Sequence, residues 1–389
     1  MADKANITPD LLRWARETAK MSPEDAAKKV HIEPERLLLW EEGIELPTIN
    51  QAQTLAKVYK RPFALFFLPE IPKDFTPLQD FRKTQVSLST ASVFIIREIQ
   101  QKQAWMSEFN KENEESPLPF VGRFTLDSSP AEVAKDILKE LQLSPLNYGD
   151  TKPIKEWINQ AEKAGIFVSR TSFIHSRLKL NKEEILGFCI ADPYAPFIFI
   201  NTDDWDAPQL FTLVHELAHL WIAASGISVD IDPENVEHHQ LHPVEMFCNE
   251  VAANALMPTE WLQSLNLNTF NNSKLVFEQS KRIGISAFAL LVRAFNLQII
   301  SFQQYNKLKE QAEIEFKAFL QREELKKEKQ KLKPGGPDPY LLRVNKNSRL
   351  FTQIVLDSFR GGLIEPTLAS NLLNTQINKF PKLESFLYS

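Results

Sequence analysis

The residues best suited to chemistry stand at 215–219, His-Glu-Leu-Ala-His, inside the apolar stretch 211–221 (FTLVHELAHLW). On a helix, positions four apart lie about 40° apart around the axis, so His215 and His219 project from one face. Two imidazoles placed this way can share one Zn²⁺, with each nitrogen about 2.0–2.1 Å from the ion. Glu216 is offset by about 100° and can reach the rim of the same cleft. There it would take a proton from a polarised water as that water attacks a carbonyl, which is the H-E-x-x-H logic of metal-assisted peptide hydrolysis. Phe211, Leu213, Val214, Leu217, Leu220 and Trp221 make the helix apolar nearly all round, so it should be buried. Two histidines and a glutamate in a buried helix need polar partners, and a metal supplies one. The sequence has only two cysteines, Cys189 and Cys248, which excludes a disulfide framework or a cysteine-rich zinc module. Any metal must be held by His, Asp and Glu.

A catalytic zinc takes a third protein ligand and leaves a fourth position open. The candidates just downstream are Asp230, Asp232, Glu234, Glu237, His238, His239, His242, Glu245 and Glu250. Most sit in a polar loop. Glu245 instead opens a second helical, apolar run, 242–258 (HPVEMFCNEVAANALMP), with Pro243 suited to its first turn. Phe247, Cys248, Val251, Ala252 and Ala255 mark its buried stripe. A carboxylate one turn into such a helix can face the metal. Asn249, four residues on, shares that face and can hydrogen-bond a histidine ligand. Glu250 is rotated towards solvent. Cys248 reads as packing.

Around these segments, the pattern predicts a mainly helical α+β chain. Short capped helices fill 7–68, and a Pro-rich linker covers 69–81. Helices are expected near 90–113, 130–142 and 152–164. Three β-prone runs, Ile166–Arg170, Ile185–Ala191 and Pro196–Asn201, are bounded by turn signals. They precede helices near 206–224 and 243–256. Further helices are expected near 273–282 and 286–296, then a long charged, solvated helix over 302–333. PGGPDP at 334–339 is a linker before a helical end.

At 389 residues, the chain has room for two or three domains. Its 11 glycines argue against a Gly-rich phosphate loop or a turn-rich all-β fold. The net charge of −5 offers no global basic field for a nucleic acid. The polar N-terminus lacks a signal peptide, and no window is apolar enough to span a membrane. A cytoplasmic location is expected.

The HELAH run is followed, 26 residues after His219, by the E-x-x-C-N-E-V-A-A-N-A-L-M-P run that starts at Glu245. Together they resemble the ImmA/IrrE family of zinc metallopeptidases. The resemblance implies His215, His219 and Glu245 as zinc ligands and Glu216 as catalytic base. Asn249 falls on the family's Asn. Cys248 stands where the family usually has Ala, while Val251 and Ala255 replace Phe and Leu. His238, His239, His242 and Tyr194 are candidate transition-state stabilisers. The strands at 185–191 and 196–201 are expected to offer a sheet edge to which a peptide substrate adds.

Residues 8–68 resemble the Cro/repressor-type (XRE) helix-turn-helix, through AAKKVHIEPERLLLWEEG (26–43) and the following PTINQAQTLAKVYKRP. Ala27 is the small residue at the turn, and Trp40-Glu41-x-Gly43 closes the recognition helix. The resemblance implies DNA binding, but the residues argue otherwise. Residues 31–46 hold one base, Arg36, against five glutamates at 33, 35, 41, 42 and 45, a net charge of −4. Such a surface repels phosphate. Leu38 and Leu39, if exposed, suit a protein contact, whereas Lys28 and Lys29 could still touch phosphate.

The expected order is therefore an XRE-like domain (1–68), a linker and helical connector (69–150), a zincin-like core (151–300), a long charged helix (301–333) and a small helical unit (340–389). The core combines a small three-stranded sheet with the HExxH helix. The expected activity is a Zn²⁺-dependent endopeptidase that cleaves a regulatory protein such as a repressor, in stress, phage or mobile-element control. The alternatives are an antitoxin-like regulator of a PIN-like ribonuclease toxin, or an XRE-type DNA-binding regulator.

Overall fold

The computed structural model describes residues 3–72, 78–80, 88–175, 178–228, 242–331, 336 and 338–388. Its strands, in chain order, are β1 (Gln79–Asp80), β2 (Phe167–Thr171), β3 (Phe173–His175), β4 (Leu178–Lys179), β5 (Gly187–Ile190), β6 (Phe197–Asn201) and β7 (Gly226–Ser228). The chain separates into two units. One holds residues 1–77, 86–101 and 173–184, and the other holds the rest.

The first unit is built on α1 (Pro9–Thr18), α2 (Pro23–Val30), α3 (Pro34–Glu41) and α4 (Ile49–Val58). Helices α1 to α3 each begin at a proline, whose missing N–H costs nothing in a first turn. Ser22 caps α2 by accepting the Asp25 N–H, and Thr48 and Gln51 form a reciprocal capping box on α4. Gly43 turns the chain after α3 at φ +75°, and a Cβ there would meet Pro9 Cγ at 3.1 Å. Leu11, Leu12, Ala26, Ala27, Leu37, Trp40 and Leu55 make the core. Glu41 lies inside as well, held by Arg16 through two bonds of 2.7 and 2.9 Å. The start of α5 (Thr90–Glu112) and the antiparallel β3–β4 hairpin complete this unit.

In the second unit the sheet order is β1-β7-β5-β6-β2. The three expected strands are its contiguous centre and one flank, β5, β6 and β2. Two short strands, β7 and β1, extend it. β2 runs parallel to β6, whereas β5 is antiparallel to both β6 and β7. Phe167 and Phe197, partners in register, stack at 4.6 Å. Against the sheet pack α7 (Pro153–Lys163) and α8 (Asp206–Trp221), preceded in the chain by α6 (Pro130–Glu140). Helix α9 (Pro243–Leu256) packs on both α6 and α8. At the end of α8, Trp221 stacks on Phe120 at 4.6 Å and donates its indole N–H to Asp136 at 2.8 Å. Those contacts fix the helix that carries the histidines.

Helices α10 (Thr259–Ser264), α11 (Ser273–Ile283), α12 (Ala287–Asn296) and α13 (Phe302–Lys331) follow, with α12 packed on α13. The C-terminal segment has four helices: α14 (Pro339–Asn347), α15 (Arg349–Arg360), α16 (Pro366–Leu372) and α17 (Phe380–Leu387). Helix α14 lies on β2, and Ser169 on that strand donates to the Lys346 carbonyl. Buried Lys102 donates to Asn347 at 2.7 Å, and buried Glu162 accepts from Ser348 Oγ at 2.6 Å. These bonds tie the segment into the second unit as a docked element.

Candidate metal centre

Helix α8 places His215, Glu216 and His219 in the core, at 1%, 0% and 1% exposure. Helix α9 brings Glu245, at 3%, to meet them. The carboxylate oxygens of Glu245 lie 3.2 Å from His215 Nε2 and 3.1 Å from His219 Nε2. The two Nε2 atoms are 3.0 Å apart. Among the described residues, these three form the group of side chains placed to hold a metal ion, with ligand atoms all within 4.8 Å of one another.

The outer nitrogens explain why a cation fits. His219 Nδ1 faces the Ala224 carbonyl at 3.1 Å, an acceptor only, so that nitrogen carries the proton. His215 Nδ1 faces Asn249 Oδ1 at 2.8 Å and takes the same tautomer. Each neutral ring then turns an Nε2 lone pair inwards, towards the other and towards a carboxylate. Three electron-pair donors converge in a buried space, which is unfavourable without a shared cation or an added proton. One borderline-soft divalent ion satisfies two imidazoles and a carboxylate together, so the donor set fits Zn²⁺.

The titration behaviour follows the same geometry. Burial alone would raise the Glu245 carboxyl, but in the metal-free site hydrogen bonds from His215 and His219, which require an added proton on Nε2, outweigh it and hold its pKa at about 2. For His215, burial opposes the charged form, yet the Glu245 carboxylate raises its pKa. For His219, burial prevails, joined by the neighbouring His215, and its pKa falls in spite of Glu245. Burial pushes the thiols of Cys189 and Cys248 well above their ordinary range, so both stay protonated and pack as small apolar groups.

Gly187 is a residue that sequence patterning passed over. It sits on β5 opposite the catalytic-base candidate. A Cβ there would stand 2.6 Å from Thr212 Cγ2, 3.0 Å from the Phe199 carbonyl and 3.1 Å from Glu216 Oε1. Its φ lies outside the left-handed region, so the glycine serves space and not backbone conformation. An isolated glycine within a β-prone run was the available signal, since it marks a close approach.

The other expected site residues lie elsewhere or outside the described residues. His242 is exposed and caps α9, its Nδ1 accepting the Val244 N–H at 3.3 Å. Tyr194 sits in the turn between β5 and β6. Its carbonyl accepts from Asn110 at 2.7 Å, and Lys111 Nζ lies 5.0 Å from its ring centre. Neither belongs to the His/His/Glu cluster. His238 and His239 fall outside the described residues, as do Asp230, Asp232, Glu234 and Glu237. The expected free edge at 185–191 and 196–201 does not hold. β6 is paired on both sides by β5 and β2, and β5 by β6 and β7. Sequence patterning missed β7 because three residues after a helix carry too little periodicity to register as a strand.

A HExxH helix paired with a glutamate-bearing helix beneath a small mixed sheet is consistent with a zincin-like site. More particularly, residues 161–295 match the IrrE N-terminal-like domain, and residues 12–66 match a helix-turn-helix domain. The matches thus set a region similar to a helix-turn-helix domain ahead of one similar to the IrrE N-terminal-like domain. No curated protein matches the chain. No helix among the described residues is long and apolar enough to cross a membrane.

Proposed function

We propose that this protein is a Zn²⁺-dependent endopeptidase whose substrate is a regulatory protein such as a repressor. The observation that carries this reading is Glu216, a carboxylate adjacent in sequence to a His/His/Glu cluster. A purely structural metal site has no use for such a carboxylate. When bound, Zn²⁺ would supply Lewis-acid polarisation of a carbonyl and a lowered pKa for water. His215, His219 and Glu245 would hold it. Asn249 and the Ala224 carbonyl keep both imidazoles in the tautomer that offers Nε2. Glu216 accepts a proton from the attacking water and delivers it to the leaving amine. Gly187 leaves the space in which that carboxylate rests.

The sheet edge beside α8 is taken by β7 and then β1. An extended substrate adding to the sheet on that side would pair outside β1 or displace it. The test incubates the protein with the product of its genomic neighbour, comparing wild type with Glu216→Gln. Cleavage by wild type that is lost in the variant supports the reading. Binding without cleavage by both proteins contradicts it.

A further inference from the structure

The helix-turn-helix surface carries a second inference, separate from the peptidase chemistry. In a DNA-reading helix-turn-helix, the second helix enters the major groove, and its exposed side chains meet bases and phosphates. Here that helix is α3. Its inward face, Leu37, Trp40 and Glu41, is buried. Its outward stripe is Glu35, Leu38 and Glu42, at helical spacings of three and four. Leu38 is 40% exposed, and Ile44, in the turn that follows, is 67% exposed. Glu33 is exposed at the start of the helix, and Glu24 and Asp25 are exposed in the first turn of α2.

The available cations do not offset this charge. Arg36 is tied to Glu45 at 3.1 Å and lies over the Trp40 ring at 5.9 Å. Lys28 and Lys29 are exposed, but in the last turn of α2, away from the α3 stripe in sequence. Over 33–45 the surface therefore carries Glu33, Glu35, Glu42 and Glu45 against Arg36, a net of −3 once buried Glu41 is assigned to Arg16. Duplex affinity depends on cations that displace counterions from phosphate, and this face supplies almost none. Two exposed aliphatic side chains among carboxylates instead complement a cationic segment with apolar anchors.

We propose that the α3 face, where exposed Leu38 shares a stripe with Glu35 and Glu42, together with exposed Ile44 in the turn that follows, docks a cationic, amphipathic segment of a partner protein. Such a segment would place its aliphatic side chains on Leu38 and Ile44 and its Lys or Arg side chains against the glutamates. A helix with anchors at i, i+3 or i+4 has that form. The fold is retained while its outer surface serves protein recognition.

The test pans the full-length protein against a random-peptide display library at about physiological salt, where surface charge is partly screened. Counter-selection uses the double variant Leu38→Ser with Ile44→Ser. Enriched peptides are then synthesised and titrated against wild type, that variant, and the double variant Glu35→Lys with Glu42→Lys. Circular dichroism checks that each variant is folded, as expected for exposed positions. The expected result is enrichment of net-positive peptides with two apolar residues at helical spacing. Their affinity should fall at least about tenfold in each double variant, roughly 1.4 kcal/mol. Peptides with no positive bias, or affinities unmoved by either variant, overturn the proposal. So does a random-sequence DNA duplex that wild type binds more tightly than the enriched peptides under the same salt. A dimer that wild type forms and Leu38→Ser with Ile44→Ser abolishes would assign the face to a second copy and also overturn it.

Discussion

Glutamates give both helix pairs, α8–α9 and α2–α3, their character, but at opposite depths. Glu216 and Glu245 lie in the core at 0% and 3% exposure, one adjacent in sequence to an imidazole and the other in contact with two. Glu33, Glu35 and Glu42 stand in solvent, the last two on the stripe that carries Leu38. A buried carboxylate survives only with a compensating partner, so its neighbours disclose what it binds. An exposed carboxylate is already solvated and discloses only what it repels. The core pair therefore supports a definite chemistry, whereas the surface set supports a class of partner. Glu41 bridges the two cases. It belongs by sequence to the acidic helix, but by burial it is a structural ion-pair partner of Arg16.

Substitutions can break or sharpen this contrast. The largest effect is expected at the core. Glu216→Gln should lower turnover by about 10²–10⁴-fold while metal content is unchanged, as measured by steady-state cleavage beside elemental analysis. Loss of the metal together with activity would mean that Glu216 is part of the binding site. Glu41→Ala should come next, because it strands the Arg16 charge in the interior, and a loss of about 3–5 kcal/mol is expected in denaturant unfolding. By contrast, Glu35→Ala, on the same helix, should stay within about 0.5 kcal/mol. Equal effects would erase the distinction between the depths.

Asn249→Ala should weaken metal affinity by about 10–100-fold in chelator competition, since it frees the His215 ring to rotate. Affinity unchanged in that variant would show that the hydrogen bond does not orient the ligand. The metal-free protein adds a pH signature. The Glu245 carboxyl is held at about 2 in the folded state, below its ordinary value of about 4.3. Its contribution is present above the ordinary value and lost as pH falls towards 2. Glu245→Gln should flatten that part of the acid-unfolding curve, and an unaltered curve would place the acid sensitivity in other groups. A comparably small effect belongs to the exposed Arg36–Glu45 pair, for which Arg36→Ala should cost about 0–1 kcal/mol in thermal unfolding.

Much of the fold was legible because its signals are local. Short helices were expected over 7–68, and prolines open α1, α2 and α3 there, while α9 spans 243–256, the range expected from its apolar stripe. The convergence of Glu245 on the histidines was legible through helical phase and the ImmA/IrrE resemblance. β1 and β7 were not, since strands of two and three residues are defined by their pairing partners and not by their own pattern. Residues 31–46 showed five glutamates but not which of them is internal. Only the packing of α3 against α1 separates Glu41 from the surface set. The space at Gly187 depends likewise on Thr212 and Glu216, distant in sequence and adjacent across the α8–β5 contact.

The most direct measurement is the metal content of the protein purified without chelator, by elemental analysis and native mass spectrometry, beside His219→Ala and Glu245→Ala. The His/His/Glu centre predicts about one Zn²⁺ per chain in wild type and a loss of that metal in both variants. Wild type that stays metal-free after reconstitution with Zn²⁺, or variants that retain the ion at full occupancy, would contradict the centre.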